Sequence, residues 1–193
     1  MTFEQIKNKV SSFTVGIAGC GGLGSNCASM LIRSGVQKII IADFDVVAES
    51  NLNRQFFFKN QIGFPKADCL KQNLLQINTD ATIDAYQLRL DENGIRTLFS
   101  RCDVIVEAFD AAESKLMIIE AVAKYFPETP LVCASGLAGI HNAERMLVKR
   151  SGQLIVVGDF GESVSENNPP LAPKVTIAAA LQANEVLRIL LGL

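Results

Sequence analysis

A short apolar run, Thr14 to Ala18, leads straight into Gly19-Cys20-Gly21-Gly22-Leu23-Gly24, and Ser25 onward (SNCASMLIRSG) reads as a helix closed by Gly35. Strand, glycine turn and helix in that order are the context in which a G-x-G-x-x-G motif builds a nucleotide site. Glycine lets backbone approach a ligand closely. The helix start offers unpaired N–H groups and the positive end of a dipole to a phosphate. The stretch predicts a nucleotide-binding site near the N-terminus, against the alternative of a tight turn with no ligand.

The next segment supports the site. Gln37 to Asp43 (QKIIIAD) reads as a second buried strand, so residues 14–43 form about the ~30-residue βαβ unit that such a motif needs. Asp43 stands 19 residues after Gly24, where an acidic side chain accepts hydrogen bonds from ribose hydroxyls. The remaining pattern continues the alternation. Residues 2–11 suit a short amphipathic helix, and Pro65 a helix first position ahead of KADCLKQNLLQIN. Ala81 to Leu88 reads as a strand, Asn93 to Ser100 as a short helix, Asp103 to Ala108 as a strand, and Glu113 to Tyr125 as a helix. Leu131 to Ala134 reads as a strand followed by SGLAG, and Arg145 to Lys149 with Leu154 to Val157 as a hairpin turning at Ser151-Gly152. Glu162 to Pro173 is a loop, and Val175 to Leu191 a final apolar helix.

Strands alternating with helices imply an α/β, doubly wound, Rossmann-like sheet, mainly parallel, with helices on both faces and a small antiparallel extension near the C-terminus. A chain of 193 residues, 49% of them hydrophobic, suits one domain whose strands are covered on both sides. The net charge of −2 gives no basic field for nucleic acid, and no run approaches a membrane span. The first ten residues lack the apolar core of a signal peptide. Five cysteines stand singly at 20, 27, 69, 102 and 133, with no C-x-x-C pair, which points to reduced thiols in the cytoplasm. Cys133 reads as core, Cys27, Cys69 and Cys102 as packing residues, and Cys20 as a small residue of the loop; His141 has no assigned role.

Gly19 to Gly24, Asp43, Asp110 and Ser135-Gly136 all fall at the C-terminal ends of predicted strands, where open α/β sheets bind ligands. An NAD- or FAD-binding domain is the ordinary reading of the loop. Two observations count against a dehydrogenase: the length leaves no room for a substrate domain, and Asp43 is followed by Asp45, Asn51-Leu52-Asn53-Arg54-Gln55 and Lys66. A second acid and two cations suit a triphosphate. Arginine offers a planar fork to phosphate oxygens and lysine a point charge, and Asp110 has the chemistry to hold Mg²⁺ beside phosphate oxygens and water. Taken singly, Asp43 or Asp45 is also a loop cap, Arg54 a surface partner of either, and Lys66 a solvated first-turn lysine.

GCGGLGS, DFD, SNLNRQ (50–55), IGFPK (62–66), Asp110 and PLAPKVTIAAALQANEVLRIL (170–190) together resemble the ThiF/MoeB family, related to the activating enzymes of ubiquitin-like proteins. The resemblance covers nearly the whole chain, and its length and SGLAG segment are similar to a compact ThiF-like subfamily. It implies a single nucleotide-binding domain over 1–193. It implies an ATP-dependent adenylyltransferase acting on the C-terminal glycine carboxylate of a ubiquitin-like sulfur carrier, of ThiS type in thiamine thiazole synthesis. By the same resemblance Gly19, Gly21, Gly22, Gly24 and Asp43 hold adenosine and ribose. Asn51, Arg54 and Lys66 surround the phosphates, with Asp45 beside them, and Asp110 serves Mg²⁺. A non-catalytic nucleotide- or carrier-binding module of the same fold is the alternative.

Three departures accompany the resemblance. There are no paired C-x-x-C motifs, so no zinc is expected. The Glu162 to Pro173 loop has Ser163 and Ser165 but no cysteine for a covalent carrier link, and the first arginine, Arg33, lies inside a helix. A carrier's Gly-Gly tail is expected between SGLAG and the 162–173 loop. The apolar faces of 112–125 and 175–193 suggest a homodimer.

Overall fold

The computed structural model describes residues 1–161 and 164–193. Its strands are β1 (Thr14–Ala18), β2 (Lys38–Asp43), β3 (Thr82–Gln87), β4 (Val104–Glu107), β5 (Leu131–Ser135), β6 (Leu147–Ser151) and β7 (Leu154–Gly158). They form one sheet in the order β3-β2-β1-β4-β5-β7-β6. Every pairing is parallel except β6 with β7, the antiparallel extension at the far edge. The doubly wound architecture is therefore as the alternation predicts, and the order reverses at β1, between β2 and β4.

The helices are α1 (Phe3–Val10), α2 (Gly22–Arg33), α3 (Lys66–Ile77), α4 (Glu92–Leu98), α5 (Ala112–Tyr125) and α6 (Ala172–Leu191). Side chains of β1 alternate between two cores. Val15 and Ile17 join Val104, Val106 and the inner faces of α2, α3 and α6. Ala18 joins Ala42, Ile105 and the inner faces of α4 and α5. A strand buried on both sides has no polar face to show, which is why these strands read as continuous apolar runs.

Several boundaries differ from expectation for local reasons. The second helix starts at Gly22, not Ser25, so two of the loop glycines lie in its first turn. Pro65 precedes α3 in an extended conformation (ψ 131°) instead of opening it. The last helix starts at Ala172, not Val175, with Pro173 in the first turn, where its missing N–H costs nothing. Arg145 falls in a short 3₁₀ turn ahead of β6, which runs from Leu147 to Ser151. Asp91 caps α4, its Oδ1 accepting from Gly94 N at 2.7 Å.

The α6 face expected to be free is largely spent inside the fold. Val175, Ala178, Ala179, Ala183, Val186, Leu190 and Leu191 are buried in the core shared with α2. Leu116 on α5 remains exposed. All five cysteines are buried and unpaired. Among the described residues, no helix is long and apolar enough to cross a membrane.

Candidate functional site

The C-terminal ends of β1, β2 and β4 meet at the glycine loop. Gly19 has φ +99°, and its N–H donates to Ala42 O at 2.9 Å. A Cβ on Gly19 would lie 2.8 Å from Ala108 O, one on Gly22 2.9 Å from Val175 Cγ1, and one on Gly24 1.9 Å from Gly19 O. Those three glycines are required by the protein's own packing. Gly21 is different: the nearest atom to its Cβ position is Gln55 Nε2, at 3.8 Å. Gly21 is also the N-cap of α2, and no side chain caps that helix start. The first N–H groups of α2 therefore have no side-chain cap, beside a glycine that the fold itself does not demand.

Asp43, at the end of β2, fixes the loop. Its Oδ2 accepts from Cys20 N at 2.6 Å and its Oδ1 from Asp45 N at 2.8 Å. Burial pushes its carboxyl above the ordinary aspartate value, against the pull of both amides and of Lys66. Each oxygen keeps a second lone pair for a hydroxyl donor. The Cys20 thiol is fully buried and held well above its usual range, first by burial and then by the Asp43 charge, so it stays neutral.

Lys66 is not a solvated first-turn lysine. It is 6% exposed, and its Nζ sits 2.8 Å from Asp45 Oδ2. Its own N–H donates to Asp45 O at 2.9 Å, and Val46 and Pro65 form an isolated bridge. Arg54 pairs with neither Asp43 nor Asp45. Its Nη1 donates to Asn53 Oδ1 at 2.8 Å and to Ser50 O at 3.3 Å, and its stem passes 3.5 Å from the Cβ position of Gly22. Asn51 turns inward on its own loop, its Oδ1 accepting from Ala48 N at 3.0 Å.

Residues without an assigned role hold this loop against α2. Ser25 Oγ donates to Gly21 O at 2.6 Å and accepts from Phe56 N at 3.0 Å. Asn26 Nδ2 donates to Gly22 O at 2.6 Å and to Arg54 O at 2.8 Å. The signal available in the sequence is two polar residues opening an otherwise apolar helix.

Asp110 follows β4 with an exposed carboxylate. The turn that carries it is anchored by Glu107, which is fully buried. Glu107 Oε1 accepts from Phe109 N at 2.7 Å, and Lys115 Nζ reaches both carboxylate oxygens at 2.8 and 3.0 Å. The same Nζ donates to Ala134 O at 3.1 Å, tying the β4 and β5 ends together. Among the described residues no three acidic, histidine or cysteine side chains gather as a metal cluster, at Asp110 or elsewhere. The structure thus gathers the glycine loop, Asp43, Asp45, Arg54 and Lys66 at one end of the sheet, with Asp110 on the neighbouring strand end.

On the β5 side, SGLAG and the following loop close against each other: Gly139 N donates to Pro169 O at 3.0 Å. Glu162 and Ser163, the near end of the expected entry loop, lie outside the described residues.

Comparison with known proteins fits this arrangement. The family model described as "ThiF family" matches residues 2–193. The sulfur carrier protein ThiS adenylyltransferase of Escherichia coli is 30% identical over 203 aligned positions, covering 97% of this chain and 76% of that one. Ubiquitin-like modifier-activating enzyme 5 of Bombyx mori is 44% identical over 88 residues, but they are 46% of this chain and only 21% of that enzyme. Among solved structures, E. coli tRNA N6-threonylcarbamoyladenosine dehydratase in complex with ATP superposes with a TM-score of 0.88 at 17% identity, covering 98% of this chain and 90% of that one, a likeness of fold. E. coli MccB with ATP gives 0.73 at 25% identity, over 96% of this chain and 58% of that one. A motif-bearing sheet end, a family match over nearly the full sequence and a relative aligned along almost all of it agree: the chain belongs to the ThiF family.

Proposed function

We propose that the protein uses ATP to adenylate the C-terminal carboxylate of a ubiquitin-fold sulfur carrier of ThiS type, ending in Gly-Gly. The observation that carries this reading is Gly21, which heads an uncapped helix start and whose Cβ position meets nothing nearer than Gln55 Nε2 at 3.8 Å, so the fold itself does not require a glycine there. The 30% identity along nearly the whole chain to the ThiS adenylyltransferase supports the choice of carrier.

The chemistry asks little of a general base. A terminal carboxyl has a pKa of about 3.3–3.7, so it is ionised at neutral pH. Its oxygen attacks the α-phosphorus, the bond to the pyrophosphate oxygen breaks, and pyrophosphate leaves. The difficulty is to bring two anions together and to hold the charge that shifts onto the leaving group, which calls for positioned cations and amides. The α2 N–H groups and Gly21 receive the phosphates in this reading. Lys66 has three N–H donors and spends one on Asp45, leaving two for phosphate oxygens. Arg54 turns its fork from Ser50 and Asn53 towards them, Asn51 lies alongside, and Asp43 takes the ribose hydroxyls. Mg²⁺ fits a single exposed carboxylate such as Asp110, because it combines one or two carboxylates with phosphate oxygens and water and offsets phosphate charge.

The reading includes a homodimer, supported by exposed apolar side chains on and around the 44–64 loop: Phe44, Val46, Phe58, Ile62 and Phe64. A monomeric mass by light scattering removes that part.

The test of the main reading is ATP–pyrophosphate exchange with candidate carriers ending in Gly-Gly. Exchange that depends on one carrier is expected, with Arg54→Ala and Lys66→Ala each lowering it about 100-fold or more while circular dichroism stays unchanged. Wild-type exchange in both variants overturns it. ATP binding without exchange on any carrier assigns the protein as a non-catalytic module.

A further inference from the structure

Gln55 is 9% exposed, and its Oε1 is sealed inside with no hydrogen-bond partner. Among the described residues no hydrogen bond joins its Nε2, and that atom is not sealed in as Oε1 is. That Nε2 is the atom that faces the glycine loop, 3.8 Å from where a Cβ on Gly21 would stand. The backbone that carries it is tied down on both sides. Gln55 N donates to Asn51 O at 2.9 Å, and the next residue is tied to α2 through Phe56 N and Ser25 Oγ at 3.0 Å.

An amide oxygen buried without a partner opposes folding, since it has left water and gained nothing. An apolar side chain of the same length would remove that cost. The site instead keeps a neutral donor beside Gly21, the uncapped N-cap of α2. Phosphate oxygens at neutral pH accept and do not donate, so they match Nε2, and turning Oε1 outward would oppose an anion. We infer that Gln55 is a further ligand-binding residue, whose Nε2 donates to a phosphate oxygen of the nucleotide over Gly21. The inference rests on the nucleotide site proposed above and adds to it a donor whose charge does not change with pH.

The test compares full-length wild type with Gln55→Met and Gln55→Glu, titrated by calorimetry with ATP and, separately, with adenosine. Gln55→Met is expected to keep or raise the melting temperature without ligand, because an unpaired polar group is gone. It is expected to weaken ATP by roughly tenfold, the usual worth of a hydrogen bond to a charged acceptor, and to leave adenosine unchanged. Gln55→Glu weakens ATP further and makes the loss salt-dependent. An ATP affinity for Gln55→Met within about twofold of wild type overturns the inference, and so does an equal loss for adenosine. A fall in melting temperature that accounts for the lost affinity overturns it too, as a structural role. Wild type that binds neither ligand strikes the nucleotide site itself, and is thereby distinguished from a failure of Gln55 alone.

Discussion

A carboxylate taken partly out of water holds its proton more tightly, and Asp43 is in that position, raised first by burial and pulled back by the amides of Cys20 and Asp45. Its folded pKa lies above its unfolded one. Its contribution to stability is therefore fully present below the unfolded value and is lost as pH rises through the folded value. Ligand binding runs the other way, because ribose hydroxyls need the ionised acceptor. Adenosine, which has no phosphate to titrate, isolates the effect. Its affinity should fall on acidification from a pH above the ordinary aspartate pKa of about 3.9, while Asp43 itself gives no fall in melting temperature over that range. Asp43→Asn should bind more weakly at neutral pH and lose this acid limb. An unchanged acid limb in the variant refutes the assignment. The place of Asp43 at the end of β2, beside the glycine loop, was legible from spacing alone. Lys66 was legible as a cation but not as a buried one, since its Asp45 partner lies 21 residues away in sequence and meets it only when the intervening loop closes. Ser25, Asn26 and Gln55 escaped for the same reason: each acts across the contact between α2 and residues 54–56.

At the level of elements, α6 shows how a helix can read as an apolar face and still be organised by its polar residues. Lys174, in its first turn, is buried with Nζ 2.6 Å from Asp159 Oδ2 and 2.6 Å from Ala138 O. Gln182 Nε2 donates to Glu107 O at 2.9 Å, and the Glu185 carboxylate takes two bonds from Arg150 of β6, at 2.6 and 2.8 Å. These partners are mostly backbone carbonyls and distant strands that exist only in the fold, so the pattern along 175–193, with that of 112–125, suggested a surface for a second copy. Taking Pro173 as part of the preceding loop also hid Lys174, which the helix carries because proline is accepted in a first turn. Lys174 and Asp159 join three strand and helix ends: Gly136, at φ +73°, lies so close that a Cβ there would stand 2.2 Å from Asp159 Oδ1. Lys174→Met strands a carboxylate that is 2% exposed, a loss of about 3–5 kcal/mol in urea unfolding. Adding Asp159→Asn, which can still accept from Gly161 N, should recover most of that. A double variant no more stable than Lys174→Met would show that the ion pair is not what holds this corner.

Across the whole molecule, the sheet places the proposed nucleotide site on β1, β2 and β4 and the antiparallel pair β6–β7 at the far edge. The alternation of strands and helices made this architecture readable. What was not readable is how the two parts are joined, because the joints are side chains of α6 reaching across β4, β5 and β6. Gln182 bonds the carbonyls of Glu107 and Val132, and Arg150 of the edge strand pairs with Glu185. If these joints make the chain one cooperative unit, a ligand at one end must protect the other. At 100 times its Kd, ATP stabilises the native state by about 2.7 kcal/mol. For a chain of 150–250 residues that raises the melting temperature by roughly 5–10 °C. Hydrogen exchange then separates two outcomes. If the chain unfolds as one, amides of β6 and β7 that open only globally slow by the same factor, about 100-fold, as those of β1 and β2 when ATP is added. Protection confined to residues 14–110, with exchange at 147–158 unchanged, would make the C-terminal part a separate folding unit. The joints at Gln182 and Glu185 would then hold two units in register without making them one.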